Sequence, residues 1–224
     1  MVKDSAPLDK VYGGMGVCGR FSLGMTVTEV QEVFPFMLKD PGLPDIWQPR
    51  YNVAPGTDVL VVVERHGTRW GGLTRWGWPL PWRPTQQMIN ARVETLADKP
   101  IFRDASRAIV VADSYYEWHA TTKEHFRICE ESGAMLKLAA LILHSPNMPE
   151  SRVVILTQGA AGDMTAIHHR TPYLLSDGSA DAWYGGDDAG SIGPSTIPTR
   201  AIPISKLVNN AHKDGPELHA PKPE

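Results

Sequence analysis

The sequence predicts an α+β protein made mainly of antiparallel β-sheet, barrel-like in shape, with a few short helices. Segments of strand-like composition outnumber segments of helical periodicity, and the two kinds do not alternate along the chain as they do around a parallel sheet. Of the 224 residues, 42% are apolar, which is enough for one sizeable core or two small ones. No linker-like stretch interrupts residues 18–218, so we expect a single domain there.

Helical periodicity is clearest in residues 25–34. Thr26 and Glu29 have the spacing of a capping box, the apolar residues fall on one face, and Pro35 should end the helix. Shorter helices are predicted at two further places, residues 160–167 and residues 180–184, the second with Ser176 and Asp177 as N-cap candidates.

Strands are predicted where β-branched and other apolar residues cluster between turn residues. In chain order they occupy residues 58–64, 73–76, 107–112, 115–118, 125–129, 135–143 and 152–157. His66-Gly67 predicts a turn between the first two, and Ser132-Gly133 predicts a hairpin that joins residues 125–129 to 135–143. The polar, Pro- or Gly-rich tails before Gly16 and after Gly215, including residues 219–224, are predicted to be loose.

Charge, cysteine count and hydropathy exclude several classes of protein. The longest apolar stretches, such as residues 59–63 and 139–143, are too short to cross a bilayer, and the charged start of the chain is no secretory signal. Two cysteines argue against a disulfide framework and suit a reducing cytoplasm. A net charge of −3 lacks the basic excess of a protein that coats nucleic acid, yet it leaves room for a local basic groove. We therefore expect a cytoplasmic protein.

Five short segments carry more polar and aromatic residues than a core strand needs. They are Cys18-Gly19-Arg20, residues 50–56, residues 90–95, Tyr116-Glu117-Trp118 and Ile167-His168-His169-Arg170. Taken alone, Cys18 is more often a small buried hydrophobe than a nucleophile. Glu117 would ordinarily point to water, unless burial between its aromatic neighbours raises its pKa and suits it to proton transfer. His168 is either structural or a metal ligand, but no second Cys or His lies at zinc-ligand spacing from Cys18, so we expect no metal and no cofactor.

Seven motifs follow one another in order between Cys18 and Leu218. They are Cys18-Gly19-Arg20; Arg50-Tyr51-Asn52-Val53-Ala54-Pro55; Trp76-Gly77 with Pro81-Trp82; Asn90-Ala91-Arg92-Val93-Glu94-Thr95; Glu117-Trp118; His168-His169-Arg170-Thr171-Pro172; and Val208-Asn209-Asn210 with Asp214-Gly215-Pro216-Glu217-Leu218. Together they closely resemble the SOS-response-associated peptidase (SRAP) family, over nearly the whole chain. Seven motifs in the right order are far more specific than any one of them.

The resemblance implies a protein that bonds covalently to abasic sites in single-stranded DNA, and we expect it to be a monomer. In the family the initiator Met is removed, so that the cysteine becomes N-terminal and carries an α-amine and a thiol on neighbouring carbons. The amine attacks the sugar aldehyde of the abasic site to give a Schiff base, and the thiol closes onto the imine carbon to give a thiazolidine. The family name also records a self-cleaving peptidase activity.

The resemblance assigns a role to individual residues as well. The expected catalytic residues are Cys18, which forms the bond, Asn90, which orients cysteine and sugar, Glu117, which handles protons on the amine and sugar, and His168, which acts as acid or base on the opening sugar. The expected DNA-binding residues are Arg20 and Arg92 on phosphates, Trp82 stacked on a base, and, more weakly, Thr157 on a phosphate. Two alternatives remain open: Arg92 would pair with Glu94, or Trp82 would pack in its Pro-rich turn.

Three departures from the family pattern stand out. Ser114 replaces a glycine ahead of the aromatic-aromatic-Glu-Trp run, and His169 replaces the aspartate that usually follows the site histidine. If that aspartate sets the tautomer or charge of the histidine, the pH dependence should differ here. The most consequential departure is that residues 1–17 precede Cys18, because an internal cysteine has no free amine.

Residues 1–17 are interpreted as a leader or as a mis-assigned start. Self-cleavage could remove them, or translation could start at Met15 followed by trimming. We favour a third hypothesis, in which the codon for Val17 is a GTG initiator and the product begins Met-Cys-Gly-Arg. Intact-mass analysis of protein made from the natural gene decides among them. Rival functions are a cysteine hydrolase that uses Cys18 and His168, and a non-covalent module that binds single-stranded DNA.

Overall fold

The computed structural model describes residues 18–80, 83–146, 148–186 and 192–222. The strands are β1 Phe21–Leu23, β2 Met37–Leu38, β3 Arg50–Val53, β4 Asp58–Arg65, β5 Thr68–Trp76, β6 Trp78–Leu80, β7 Arg83–Met88, β8 Asn90–Arg92, β9 Ser106–Ala112, β10 Ser114–Trp118, β11 His125–Glu130, β12 Leu136–Ser145, β13 Met148–Gly159, β14 Arg170–Pro172 and β15 Thr199–Ile204. The helices are α1 Val27–Val33, α2 Leu43–Ile46, α3 Met164–Ile167 and α4 Asp177–Gly185. Short 3-10 helices cover Val93–Thr95, Pro100–Phe102, Lys206–Asn209 and Pro216–His219.

The strands form two main sheets, and the predicted α+β class with barrel-like antiparallel sheet is confirmed. The large sheet runs in the order β14-β13-β12-β9-β4-β5-β2, with β8 added in parallel beside β13. A parallel pairing between β13 and β5 closes β13, β12, β9, β4 and β5 into a ring. The small sheet runs in the order β15-β11-β10-β1-β3, and its pairings are antiparallel.

The large sheet buries both of its faces. In β9, Ala108 and Val110 join one hydrophobic cluster while Ile109 and Val111 join another, as the two-residue period of a strand requires. The first cluster lies between the two sheets, since it also contains residues of the small sheet, namely Phe21, Val53, Tyr115 and Ile128 together with Cys18. The second cluster lies under helices α1, α2 and α4. The candidate site therefore sits at the core between the sheets.

The predicted helices are present, with changed lengths. Helix α1 has the predicted capping box, in which the Thr26 side chain accepts from the Glu29 backbone while the Glu29 carboxylate accepts from the Thr26 backbone. Helix α4 starts after the N-cap Ser176 and is longer than predicted. Helix α3 covers only the second half of the predicted segment.

The predicted hairpin between residues 125–129 and 135–143 is wrong. Gly133 does turn the chain, with φ of 86° and its N–H donated to the Glu130 carbonyl. The strands on either side belong to different sheets, because β11 pairs with β10 and β15 whereas β12 pairs with β9 and β13. A turn residue fixes a local change of direction, but each of these strands has partners elsewhere that bury its apolar side chains.

The C-terminal segment packs on the small sheet, although its composition predicted a loose tail. Leu218 is buried, and the His219 ring lies 3.0 Å from the Ser22 hydroxyl. Beyond it, the Lys222 N–H donates to the Pro203 carbonyl, and Pro221 bridges to Ile204 in β15. Residues 216–222 therefore form part of the surface that encloses β1 and β10.

Candidate active site

Glu117 points into the core because its neighbours on β10 pack on the outer face of the small sheet. Tyr116 belongs to a cluster with Ile204 and Val208, and the Trp118 indole donates to Asn209 Oδ1 at 2.8 Å. Strand alternation then turns Glu117 inward, on the same side as Tyr115. Only 3% of Glu117 is exposed, so the alternative in which it points to water is excluded.

The Glu117 carboxyl holds the backbone nitrogen of Cys18. The Cys18 N–H donates to Glu117 Oε1 at 2.6 Å, and Cys18 itself is 0% exposed. Cys18 has φ of 50°, a left-handed conformation that is uncommon for any residue except glycine. The two residues are 99 positions apart in the chain, so the contact is made only by the pairing of β1 with β10.

Burial shifts the acidity of every titratable group in this contact. It raises the pKa of Glu117 to about 8, although the N–H groups of Cys18 and Trp118 oppose the rise. Burial, with a smaller contribution from the Glu117 charge, raises the pKa of the Cys18 thiol well above its usual range. Burial also raises the pKa of Tyr115, with smaller contributions from Cys18 and Glu117. At neutral pH, Glu117 is therefore largely protonated and the Cys18 thiol is neutral.

Arg20 lies inside the protein and is held by residues 208–214, which together with residues 215–222 form the C-terminal segment. Its Nη1 donates to Asn52 Oδ1 at 2.7 Å and to the Val208 carbonyl at 2.9 Å, and only 7% of the residue is exposed. Asn52 also donates through Nδ2 to three carbonyls of that segment, those of Val208, Asn210 and Lys213, at 3.2, 3.1 and 2.8 Å. The Asp214 carboxylate pairs with the Arg50 side chain and accepts the Asn52 backbone N–H at 2.9 Å. Asn52 thus links Arg20 to residues 208–213.

Asn90, Arg92 and Thr157 meet where β8 runs parallel to β13. Asn90 is opposite Ile155 in the register, and Arg92 is opposite Thr157. Arg92 is exposed, as a phosphate contact requires, whereas Thr157 is 2% exposed and its hydroxyl lies within 3.4 Å of the Ala91 carbonyl. Arg92 is therefore placed to meet a ligand from outside, and Thr157 is placed to support the strands.

Arg170 joins β14 to the end of β13 and was not among the expected site residues. Its Nη1 and Nη2 donate to the two carboxylate oxygens of Glu94 at 3.0 and 2.9 Å. Nη2 also donates to the Thr157 carbonyl at 2.7 Å. Glu94 therefore pairs with Arg170, and the alternative in which Glu94 pairs with Arg92 is excluded. The only signal in the sequence was the position of Arg170 within the His-x-Arg-x-Pro motif.

His168 follows helix α3 and is half-buried. Its Nδ1 lies 3.2 Å from both the backbone nitrogen and the carbonyl oxygen of Arg170. Its ring stacks on that of His169, with 4.3 Å between the ring centroids. Burial lowers the pKa of His168. The Ala120 N–H donates to the Ile167 carbonyl at 3.2 Å, so the residue before His168 is tied to the loop that follows β10.

Trp82, the expected stacking residue, lies outside the described residues. Within the described ranges, no group of three or more His, Cys, Asp or Glu side chains is arranged to hold a metal ion. No helix among those residues is long and apolar enough to span a membrane.

Comparison with known proteins identifies the family. The family model described as SOS response associated peptidase (SRAP) matches residues 17–211. The chain is 33% identical to abasic site processing protein YoqW of Bacillus subtilis, over 90% of this chain and 98% of that protein. It is 30% identical to abasic site processing protein YedK of Escherichia coli, over 92% of this chain and 100% of that protein. The chain belongs to the SRAP family.

A solved structure agrees on the fold. The crystal structure of a protein from Bacteroides thetaiotaomicron superposes with a TM-score of 0.73, at 18% identity, over 90% of this chain and 98% of that one. The arrangement of sheets described above is therefore an established fold.

Proposed function

We propose that this protein processes abasic sites in DNA, and that it does so by forming a thiazolidine crosslink through Cys18 when Cys18 is the N-terminal residue. The observation that carries the proposal is the 2.6 Å contact between Cys18 N and Glu117 Oε1. The nitrogen that would attack the sugar aldehyde is the atom that this carboxyl holds. A carboxyl with a pKa of about 8 can both accept and return a proton near neutral pH. The relatives named abasic site processing proteins support the same substrate.

The reaction uses both functional groups of one residue. The Cys18 amine adds to the aldehyde carbon of the opened sugar, and loss of water gives an imine. The thiol sulfur then adds to the imine carbon while its proton passes to the nitrogen, which closes a five-membered ring. One water is released for each adduct, so the reaction needs no oxidant or reductant. The buried thiol is neutral, so it loses its proton only as the ring closes.

The other expected residues have supporting roles in this proposal. Glu117 exchanges protons with the amine and the sugar, Asn90 orients the cysteine and sugar, and His168 serves as acid or base on the opening sugar. Two residues would hold the single-stranded DNA: Arg92, which is exposed, on a phosphate, and Trp82 on a base. Arg20 and Thr157 would act from inside the protein, by supporting the strands that carry these groups. We further propose that the protein works as a monomer in the cytoplasm, where both of its free cysteines stay reduced.

A self-cleaving peptidase step is the second candidate, and the same contact favours it. In the 224-residue chain the Cys18 nitrogen belongs to the amide that follows Val17, and it would be the leaving group of that cleavage. The Glu117 carboxyl accepts the N–H of this amide at 2.6 Å and, being protonated at neutral pH, would supply a proton to the nitrogen as the bond breaks. The Cys18 thiol would attack the Val17 carbonyl carbon, and the amide bond would break to leave a thioester and a free Cys18 amine. Water would then hydrolyse the thioester and release residues 1–17. The high pKa of the thiol opposes the first of these steps, so we expect cleavage to be slow. Incubating the 224-residue chain and following its intact mass tests this step, because loss of residues 1–17 changes the mass unambiguously.

The crosslink is tested with two forms of the protein, one that starts at Met1 and one that starts at Cys18. Each is incubated with single-stranded DNA that contains one abasic site, and the products are separated on a denaturing gel. We expect a covalent species from the Cys18 form, little or none from the Met1 form, and none from Cys18→Ser. Cys129→Ser is the matched control, since Cys129 is the other buried free cysteine, and it should react like the wild type.

Three results would contradict the proposal. An equally stable adduct from the Cys18→Ser variant, which keeps the α-amine and lacks the thiol, would show that no thiazolidine is formed. Equal reaction of the two forms, with the Met1 form still intact by mass, would show that the free amine is not needed. Binding that is lost at high salt, without any species that survives denaturation, would favour a non-covalent DNA-binding module.

A further inference from the structure

The stacked pair of His168 and His169 suggests how the charge of the site histidine is controlled. The ring centroids are 4.3 Å apart and the ring planes are inclined by 35°. His169 is exposed, whereas His168 is half-buried. We propose that His169 is a positioning residue that, through this ring contact, adds to the effect of burial and extends to lower pH the range over which His168 stays uncharged. The inference rests on the proposed function, in which His168 exchanges a proton with the sugar.

The backbone around His168 favours the charged ring, and so acts against burial, which lowers the pKa of His168. Nδ1 of His168 is 3.2 Å from the Arg170 N–H and 3.2 Å from the Arg170 carbonyl oxygen. A bare Nδ1 can accept from the first, and a protonated Nδ1 can donate to the second. The neutral tautomers and the imidazolium are therefore all accommodated at Nδ1. Burial is the largest cause of the lowered pKa of His168, and the charged groups that face the ring add to it.

Those groups are a second histidine and an arginine, and the arginine is paired with a carboxylate. His169 lies against the ring, and Arg170 follows it in the chain, and both lower the pKa of His168. The charge of Arg170 is largely offset because both of its terminal nitrogens are bound to Glu94. His169 has no such counter-charge among its described contacts. Two stacked imidazoles resist double protonation, because like charges at this distance repel. A change of residue 169 should therefore change the pKa of His168.

A neutral imidazole can accept a proton, whereas an imidazolium cannot. With histidine at position 169, His168 should keep its capacity as a base to a lower pH than it would beside a carboxylate. A carboxylate at the same position would stabilise the imidazolium and raise the pKa of His168, by about one unit for an opposite charge at this range. The identity of residue 169 would thus set the pH range of the step that uses His168.

The direct test is an NMR titration of the histidine ring signals in the 224-residue chain. The variants are His169→Asp and His169→Asn, and the His168 signal is assigned by its loss in His168→Asn. His66→Asn is the matched control, since His66 is an exposed histidine in a turn with φ of 52°, which asparagine tolerates. We expect the pKa of His168 to rise by about one unit in His169→Asp, by less in His169→Asn, and to stay unchanged in the control. An unchanged pKa of His168 in both His169 variants would overturn the inference.

A second measurement separates this inference from the proposed function. The pH profile of adduct formation is recorded for the Cys18 form of the wild type and of His169→Asp. If the limb of this pH profile that reports His168 moves to higher pH in His169→Asp, as the NMR pKa of His168 does, the inference and the proposed function are both supported. If the NMR pKa moves and the profile does not, the coupling of the two rings stands and the proposed role of His168 in the reaction fails.

Discussion

Glu117→Gln should give a protein that is more stable than the wild type above pH 8 and that forms the DNA adduct about a hundredfold more slowly, or slower still. Both effects come from the same buried carboxyl. A glutamine is close in size and its Oε1 can still accept the Cys18 N–H, so the fold should be preserved. What the variant loses is the charge and the ability to exchange a proton.

The stability effect follows from the direction of the pKa shift. Folding raises the pKa of Glu117 from 4.5 to about 8, because the ionised carboxylate is poorly solvated in the core. Below pH 4.5 the carboxyl is neutral in both states and costs nothing. As the pH rises from 4.5 to 8, the unfolded chain releases this proton and the folded protein retains it, so stability is lost over that window and then stays level. The loss should be roughly 3–5 kcal/mol for a shift of this size.

Urea unfolding at several pH values between 4 and 9 measures this loss. Glu117→Gln should remove the downward slope between pH 4.5 and 8, while Glu32→Gln, a change at an exposed helix position, should leave the slope intact. Parallel pH profiles for the wild type and Glu117→Gln would mean that Glu117 is ionised in the folded protein at neutral pH. The adduct rate is compared in the Cys18 forms of the same two variants, and only Glu117→Gln should slow it.

The sequence named Glu117 but could not decide which way it points. Alternation along 115–118 allows either face, and a lone glutamate between aromatics ordinarily faces water. The decision comes from Val208 and Asn209, more than 90 positions away, which cover the outer face of β10 and contact Tyr116 and Trp118. Such a contact leaves no local periodicity in the sequence. The same holds for the rejected hairpin, where the turn was predicted correctly and the partners of both strands were not.

Motif order predicted the family, but not the exposure of the residues that the motifs carry. Arg20 and Arg92 both match arginines expected on phosphates, yet one is enclosed by the C-terminal segment and the other faces outward. Helix α1, by contrast, was predicted with its capping box and with both ends within two residues, because a capping box and a following proline are local signals. Local chemistry was readable from the sequence, and the contacts between distant segments were not.

Asn52→Ala should lower the free energy of unfolding by about 3 kcal/mol, since it leaves several buried polar groups without their partner. Asn52 accepts from Arg20 and donates to the carbonyls of residues 208, 210 and 213. Its removal deprives a buried guanidinium of one acceptor and frees a segment that covers the outer face of the small sheet. For a chain of this size the melting temperature should fall by roughly 10 °C.

Thermal unfolding of Asn52→Ala is compared with that of Asn210→Ala. Asn210 lies in the same segment but is exposed, and the carbonyl that Asn52 binds is kept in this variant, so a change of less than about 1 kcal/mol is expected. Equal losses of unfolding free energy in the two variants would show that the hydrogen bonds of Asn52 stabilise the protein no more than the side chain of an exposed residue does. Because Arg20 is two residues from Cys18, we also expect Asn52→Ala to slow adduct formation at temperatures where it is still folded. The C-terminal segment would then stabilise the site and, through Arg20, hold the reactive residue in place.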